Sequence, residues 1–84
     1  MSGAKKVEVR ARMSGLFYRK PHPEAPPYVE VGDEVKKGQV LGLLETMKVF
    51  QNIKAPADGR IIEIVAEDES ALKDNEVIFV IEAA

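Results

Sequence analysis

One side-chain amine stands out from its surroundings. Lys48 lies in Glu45-Thr-Met-Lys-Val49, between two apolar stretches that read as strands, Gln39–Glu45 and Val49–Ala55. A tight hairpin there calls for Asn-Gly, Asp-Gly or another glycine, because primed turns need positive φ at their central residues. Met47 and Lys48 suit that geometry poorly, and Met47 sets a large apolar side chain where water should be. A local rule broken within a consistent sequence marks a place to look for function. Taken alone, a Met-Lys pair is ordinarily a solvated lysine beside an exposed methionine; the position changes its meaning. At a hairpin tip the amine is exposed, nucleophilic and within reach of another enzyme's pocket. Glu45 reads as a recognition group for such an enzyme or as a generic polar strand end. Met47 reads as a partner contact, its place at the tip arguing against burial.

The remaining chemistry-bearing residues form no catalytic constellation. His22, between Pro21 and Pro23, has no neighbouring His, Cys or carboxylate cluster to make it a metal ligand or a general base. Glu67-Asp68-Glu69 reads as a solvated turn. Gly15, Gly38, Asp58 and Gly59 read as turn-makers without a phosphate-cradling pattern. An enzyme acting alone is therefore the weakest reading.

Composition narrows the class further. The chain of 84 residues has no cysteine and a net charge of −2, and its basic residues are scattered. One small domain, residues 1–84, is expected, held by apolar packing rather than by disulfides. Nothing favours nucleic acid as a partner. No apolar run is long enough to span a bilayer, and the polar start, Met1 to Lys6, lacks the apolar stretch of a signal peptide. A cytoplasmic setting is the expectation.

The elements that must position Lys48 emerge from internal similarity. Val9-Arg-Ala-Arg-Met-Ser-Gly-Leu-Phe17 aligns with Ile53-Lys-Ala-Pro-Ala-Asp-Gly-Arg-Ile61. Val35-Lys-Lys-Gly-Gln-Val-Leu-Gly-Leu-Leu-Glu45 aligns with Leu72-Lys-Asp-Asn-Glu-Val-Ile-Phe-Val-Ile-Glu82. The offsets, 44 and 37, differ by seven, so the first half carries about seven extra residues between Phe17 and Val35. They fall in residues 20–27, which hold four of the five prolines and read as a protruding loop. Glu67 to Lys73 suggests a helix by composition, but its repeat partner, Val31-Gly-Asp-Glu-Val35, carries a turn signal. Both read as turns leading into a short strand. The expected strands are Lys6–Arg12, Leu16–Tyr18, Tyr28–Val29, Gln39–Glu45, Val49–Ala55, Arg60–Ala66 and Val77–Glu82. The fourth and last are apolar on both faces, which suits a packed sandwich. An all-β flattened barrel or sandwich of two antiparallel sheets follows, with pseudo-twofold symmetry, an ordered core of about residues 7–82 and Lys48 at the join of its halves.

Glu45-Thr-Met-Lys-Val49 resembles the Glu-Ala-Met-Lys-(Met/Leu) signature of biotinyl domains in the biotin/lipoyl attachment family. Gly15-Leu-Phe-Tyr-Arg-Lys-Pro21, Val29 to Leu41 and Ile53 to Ile61 extend the resemblance, within that family, to the biotin carboxyl carriers of acetyl-CoA carboxylase. It covers roughly residues 7–82. Thr46 stands where alanine is usual and Val49 where Met or Leu is usual. Lipoyl domains resemble Glu-(Thr/Ser)-Asp-Lys-Ala, with an acidic residue where this chain has Met47. The resemblance implies biotin joined covalently to Lys48, with Glu45, Thr46, Met47 and Val49 beside it. It implies three partners, a biotin protein ligase, a biotin carboxylase and a carboxyltransferase, and a carrier rather than an enzyme. It further implies that the proline-rich loop is the "thumb" of these carriers, lying against the biotin. A lipoyl carrier of a 2-oxoacid dehydrogenase and an unmodified interaction module are the alternatives.

Overall fold

Short runs of Val, Ile, Leu and Phe, each cut off by Gly, Pro, Asn or Asp, favour short strands joined by turns. The computed structural model describes residues 5–84. Within them lie eight strands: β1 Lys5–Arg10, β2 Gly15–Tyr18, β3 Glu34–Val35, β4 Val40–Glu45, β5 Phe50–Lys54, β6 Gly59–Ile64, β7 Ala71–Leu72 and β8 Val77–Ala83. They pair antiparallel into two four-stranded sheets, ordered β1-β8-β6-β3 and β5-β4-β2-β7. No helix occurs among the described residues, hence none long and apolar enough to cross a membrane.

Adding the repeat offsets maps one sheet onto the other strand by strand: β1 onto β5, β2 onto β6, β3 onto β7 and β4 onto β8. Each sheet therefore mixes strands from both halves. The equivalence reaches single hydrogen bonds. Gly38 N donates to Ala55 O at 2.8 Å, and Asn75 N to Ala11 O at 2.7 Å. Positive φ recurs at paired positions too, Gly32 with Glu69 and Gly38 with Asn75.

The core fills from both sheets. Phe17, Leu41, Leu44, Ile61, Ile78, Phe79 and Ile81 are almost wholly enclosed, and the Phe17 and Phe79 rings meet edge to face at 5.7 Å. Volume is traded between the halves. Gly42 leaves room for the Phe17 ring, which a Cβ there would meet at 2.8 Å, while the repeat equivalents of Gly42 and Phe17 are the large Phe79 and the smaller Ile61.

Three expectations need correction. Tyr28–Val29 is not a strand: it follows Pro26-Pro27, and Tyr28 N bonds to Arg19 O at 2.8 Å to close the base of the proline-rich loop, while Val29 enters the core. Burial on both faces of β4 and β8 is partial. Val40, Leu43, Val77 and Val80 are half-buried, and register shifts turn Leu41 and Ile78 inward beside their neighbours. Strand ends also move by one or two residues, since apolar residues such as Ala11, Ala55 and Ala66 continue into the core beyond the last ladder bond. The paired turns do lead into short strands, β3 and β7. Met1 to Ala4, most of the polar start, lie outside the described residues, and Lys5 and Lys6 open β1.

Candidate functional site

The β4–β5 hairpin projects Lys48 from the end of one sheet. Glu45 and Phe50 form its last register pair, leaving a four-residue loop, Thr46 to Val49. None of the four takes positive φ. The loop escapes the primed-turn requirement because it is wider than two residues and is closed by a side chain. Thr46 N donates to Val49 O at 2.9 Å; the Thr46 hydroxyl donates to the same oxygen at 3.0 Å and lies 3.3 Å from Val49 N and 3.4 Å from Lys48 N. Met47 is fully exposed and Lys48 also faces solvent. The sequence reading places Lys48 at a hairpin tip, as the β4–β5 loop does, but it missed the clasp that Thr46 supplies.

Glu45 is held from the neighbouring strand. Tyr18 Oη donates to Glu45 Oε1 at 2.8 Å, and the Tyr18 ring lies 6.2 Å from that of Phe50. The hydrogen bond to Glu45 raises the Tyr18 pKa above the usual 10.0; partial burial and the negative charges of Glu45, Glu69 and Asp68 push the same way.

Pseudo-symmetry provides an internal control for the surface around Glu45. Across its sheet the register places Phe50, Glu45, Leu16 and Ala71 side by side. The equivalent row on the other sheet is Lys6, Glu82, Arg60 and Glu34, alternating in charge, with Arg60 and Glu34 paired at 3.2 Å. One end thus carries the mixed charges of an ordinary solvated surface. The Lys48 end sets a single carboxylate between exposed apolar side chains, with Phe50 60% and Leu16 39% exposed.

Beside the hairpin lies a cleft of about 220 Å³. Its floor is Tyr18, Leu43 and Phe50, and the proline-rich loop forms one wall through Pro21, His22 and Pro23. That loop is braced at its base. Arg19 N donates to Asp68 Oδ1 at 2.8 Å, and the Arg19 guanidinium reaches Val29 O at 3.1 Å and Glu30 Oε1 at 3.2 Å. Asp68, read from sequence as part of a solvated turn, therefore holds the loop from the other half of the molecule. Tyr18 and Arg19 belong to the stretch Gly15-Leu-Phe-Tyr-Arg-Lys-Pro21, but their partners Glu45 and Asp68 lie 27 and 49 residues away, and no spacing rule reveals such contacts. His22 is a wall residue of the cleft.

Comparison with known proteins agrees with this architecture. The biotin carboxyl carrier protein of acetyl-CoA carboxylase from Glycine max, a chloroplastic protein by its name, is 46% identical over 74 residues, covering 88% of this chain and 28% of that protein. The Haemophilus influenzae protein of the same name is 43% identical over 74 residues, covering 88% and 48%. The chain thus spans less than half the length of each. Among solved structures, a single-chain, multi-domain long-chain acyl-CoA carboxylase superposes with a TM-score of 0.78 at 18% identity, covering 94% of this chain and 7% of that one, a likeness of fold. The family described as "Biotin-requiring enzyme" matches residues 7–81, and with its half-repeats, hairpin and carrier relatives this chain belongs to that biotin/lipoyl family.

Proposed function

We propose that this chain is a biotin carboxyl carrier domain of acetyl-CoA carboxylase, residues 1–84, with biotin joined to Lys48 as an amide. The observation that carries the reading is the exposed Met47-Lys48 tip at the join of two matching halves, on the one end of the sandwich where apolar side chains replace mixed charges. Relatives named as carriers of that carboxylase support the choice of complex. Met47, where lipoyl domains carry an acidic residue, favours biotin over lipoate.

The residues present fit the group. Lys48 has no packed neighbour to displace, and the cleft under the thumb, residues 20–27, offers an apolar floor with a polar rim. When bound, biotin supplies a ureido nitrogen that accepts a carboxyl group at one active site and releases it at another. In the ligase pocket the Lys48 nitrogen would attack a biotin carboxyl activated with ATP as an acyl phosphate: the C–N bond forms, the C–O bond to the phosphate breaks and the phosphate leaves. The protons shed by the amine pass to a base or to water, so the amide carries no charge where the lysine had one. Glu45, fixed by Tyr18 and framed by Leu16 and Phe50, gives the ligase one negative charge on an apolar ground; Met47 and Val49 add apolar contact. The chain contributes no acid or base to carboxyl transfer and acts as a carrier. By tethering, it keeps the arm at high effective concentration beside a biotin carboxylase and a carboxyltransferase. The thumb, which walls the cleft through Pro21, His22 and Pro23, would hold the ring and shield it. We place the activity in the cytoplasm on composition alone, the relatives including chloroplastic and bacterial proteins.

Co-expression with a biotin protein ligase, and separately with a lipoate ligase, followed by intact mass and streptavidin blotting, tests the reading. One biotin per chain, absent in Lys48→Arg, is the expected result; lipoylation alone, or an unmodified chain beside a modified reference acceptor, overturns it. NMR relaxation of the biotin in intact and thumb-deleted protein tests the shielding, and equal mobility in both would exclude it.

A further inference from the structure

We infer that Thr46 is a positioning residue for Lys48, its hydroxyl clasping the hairpin into the shape that a modifying enzyme meets. This rests on the carrier reading above and adds to it a residue that the signature does not require, since alanine is usual there.

The argument begins with what the loop lacks. Met47 and Lys48 have no glycine-like freedom, and the loop has neither a primed turn nor buried side chains at its tip to hold it. A Met47 side chain as exposed as in an extended chain adds nothing to local order. The one backbone closure, Thr46 N to Val49 O, sits at the base. Every other polar contact within the loop runs through a single oxygen, Thr46 Oγ1: it donates to Val49 O and faces both Val49 N and Lys48 N. Such side-chain closure is how Ser and Thr substitute for a regular turn. At the pseudo-symmetric position stands Ala83, the last residue of β8, whose side chain has no hydroxyl.

An ordered loop meets a partner with less entropy left to lose. The clasp touches the backbone of Lys48 and leaves its amine free, so its loss weakens encounter while the chemistry at Nζ stays the same. Alanine removes the oxygen, valine removes it while keeping the branched shape, and serine keeps it.

The full chain and its Thr46→Ala, Thr46→Val and Thr46→Ser variants are to be compared in two ways. The first is the 15N backbone order parameter at Lys48 and Val49 in the unmodified protein. The second is steady-state transfer by a biotin protein ligase with the chain as varied substrate. Wild type and the serine variant should hold order parameters near about 0.85, and the other two should fall toward about 0.6. KM should rise about threefold to tenfold in the alanine and valine variants, as for one lost hydrogen bond, with kcat little changed. Unchanged order in the alanine and valine variants removes the clasp. Lost order with unchanged KM removes the positioning role, and so does a serine variant that behaves like alanine. A wild-type chain that accepts no biotin defeats the carrier reading instead, and the order parameters then decide the clasp by themselves.

Discussion

The contact between Tyr18 and Glu45 is the most consequential single pairing near Lys48, because it turns an otherwise free carboxylate into a fixed one. The same bond has a measurable signature. Its acceptor and the surrounding negative charges hold Tyr18 protonated above the pH at which it would ionise in the unfolded chain. Between that lower, unfolded pKa of about 10 and the raised folded value, the folded state binds the extra proton, so stability falls as pH rises through this range. Tyrosinate absorbance should show one tyrosine titrating late, and it should vanish from the curve in Tyr18→Phe. In Glu45→Gln its midpoint should move back toward the ordinary value. Denaturant midpoints above pH 10 should decline less steeply in Tyr18→Phe than in wild type; equal slopes would mean that the bond does not persist in solution.

At the scale of elements, the repeat offers paired experiments. Gly15 opens β2 with a Cβ position only 2.5 Å from Glu45 O, and its equivalent, Gly59, opens β6 at 2.3 Å from Glu82 O. Neither site has room for a methyl group without moving backbone. Gly15→Ala and Gly59→Ala should each cost about 1–3 kcal/mol by denaturant unfolding, the usual range for overpacking. Their effects on function should differ. Displacing Glu45 disturbs the strand end that carries the hairpin, so Gly15→Ala should also raise the ligase KM. Gly59→Ala strains the distant charged row and should leave KM unchanged. Equal KM changes in both would show that global stability alone sets acceptor quality.

For the whole molecule, the two halves are not separable units. β4 and β2 from the first half are flanked by β5 and β7 from the second, and the first-half β1 and β3 flank β8 and β6. The thumb is the exception to this interlocking, because the second half closes the equivalent gap, Ile62 to Glu67, without it. A chain lacking residues 20–26 should therefore still unfold cooperatively, at a cost of no more than about 2 kcal/mol, since shortening a surface loop changes closure entropy little. Circular dichroism and denaturant titration check this. Loss of the folded state would mean that the loop residues themselves support the sandwich. Arg19 bonds to Asp68 and to Val29 at the base of the loop, outside the deleted residues, so both contacts remain available to the shortened chain.

Much of this architecture was legible from residue types in order. Two offset alignments, a surplus of seven residues and a cluster of prolines were enough to expect matching halves, a protruding loop and Lys48 at the join, because each depends on patterns local in sequence. Strand ends and two-sided burial were less legible, since the irregularities beside Leu41 and Ile78 are set by how the strands pair, β4 with β5 and β8 with the distant β1, and residue order does not reveal them. The fixing of Glu45 by Tyr18, the bracing of the thumb by Asp68 and the apolar frame of Leu16 and Phe50 came only with the tertiary structure. Each joins residues that meet only after the chain has folded back across itself, and sequence periodicity carries no information about which distant side chains will lie within a hydrogen bond of one another.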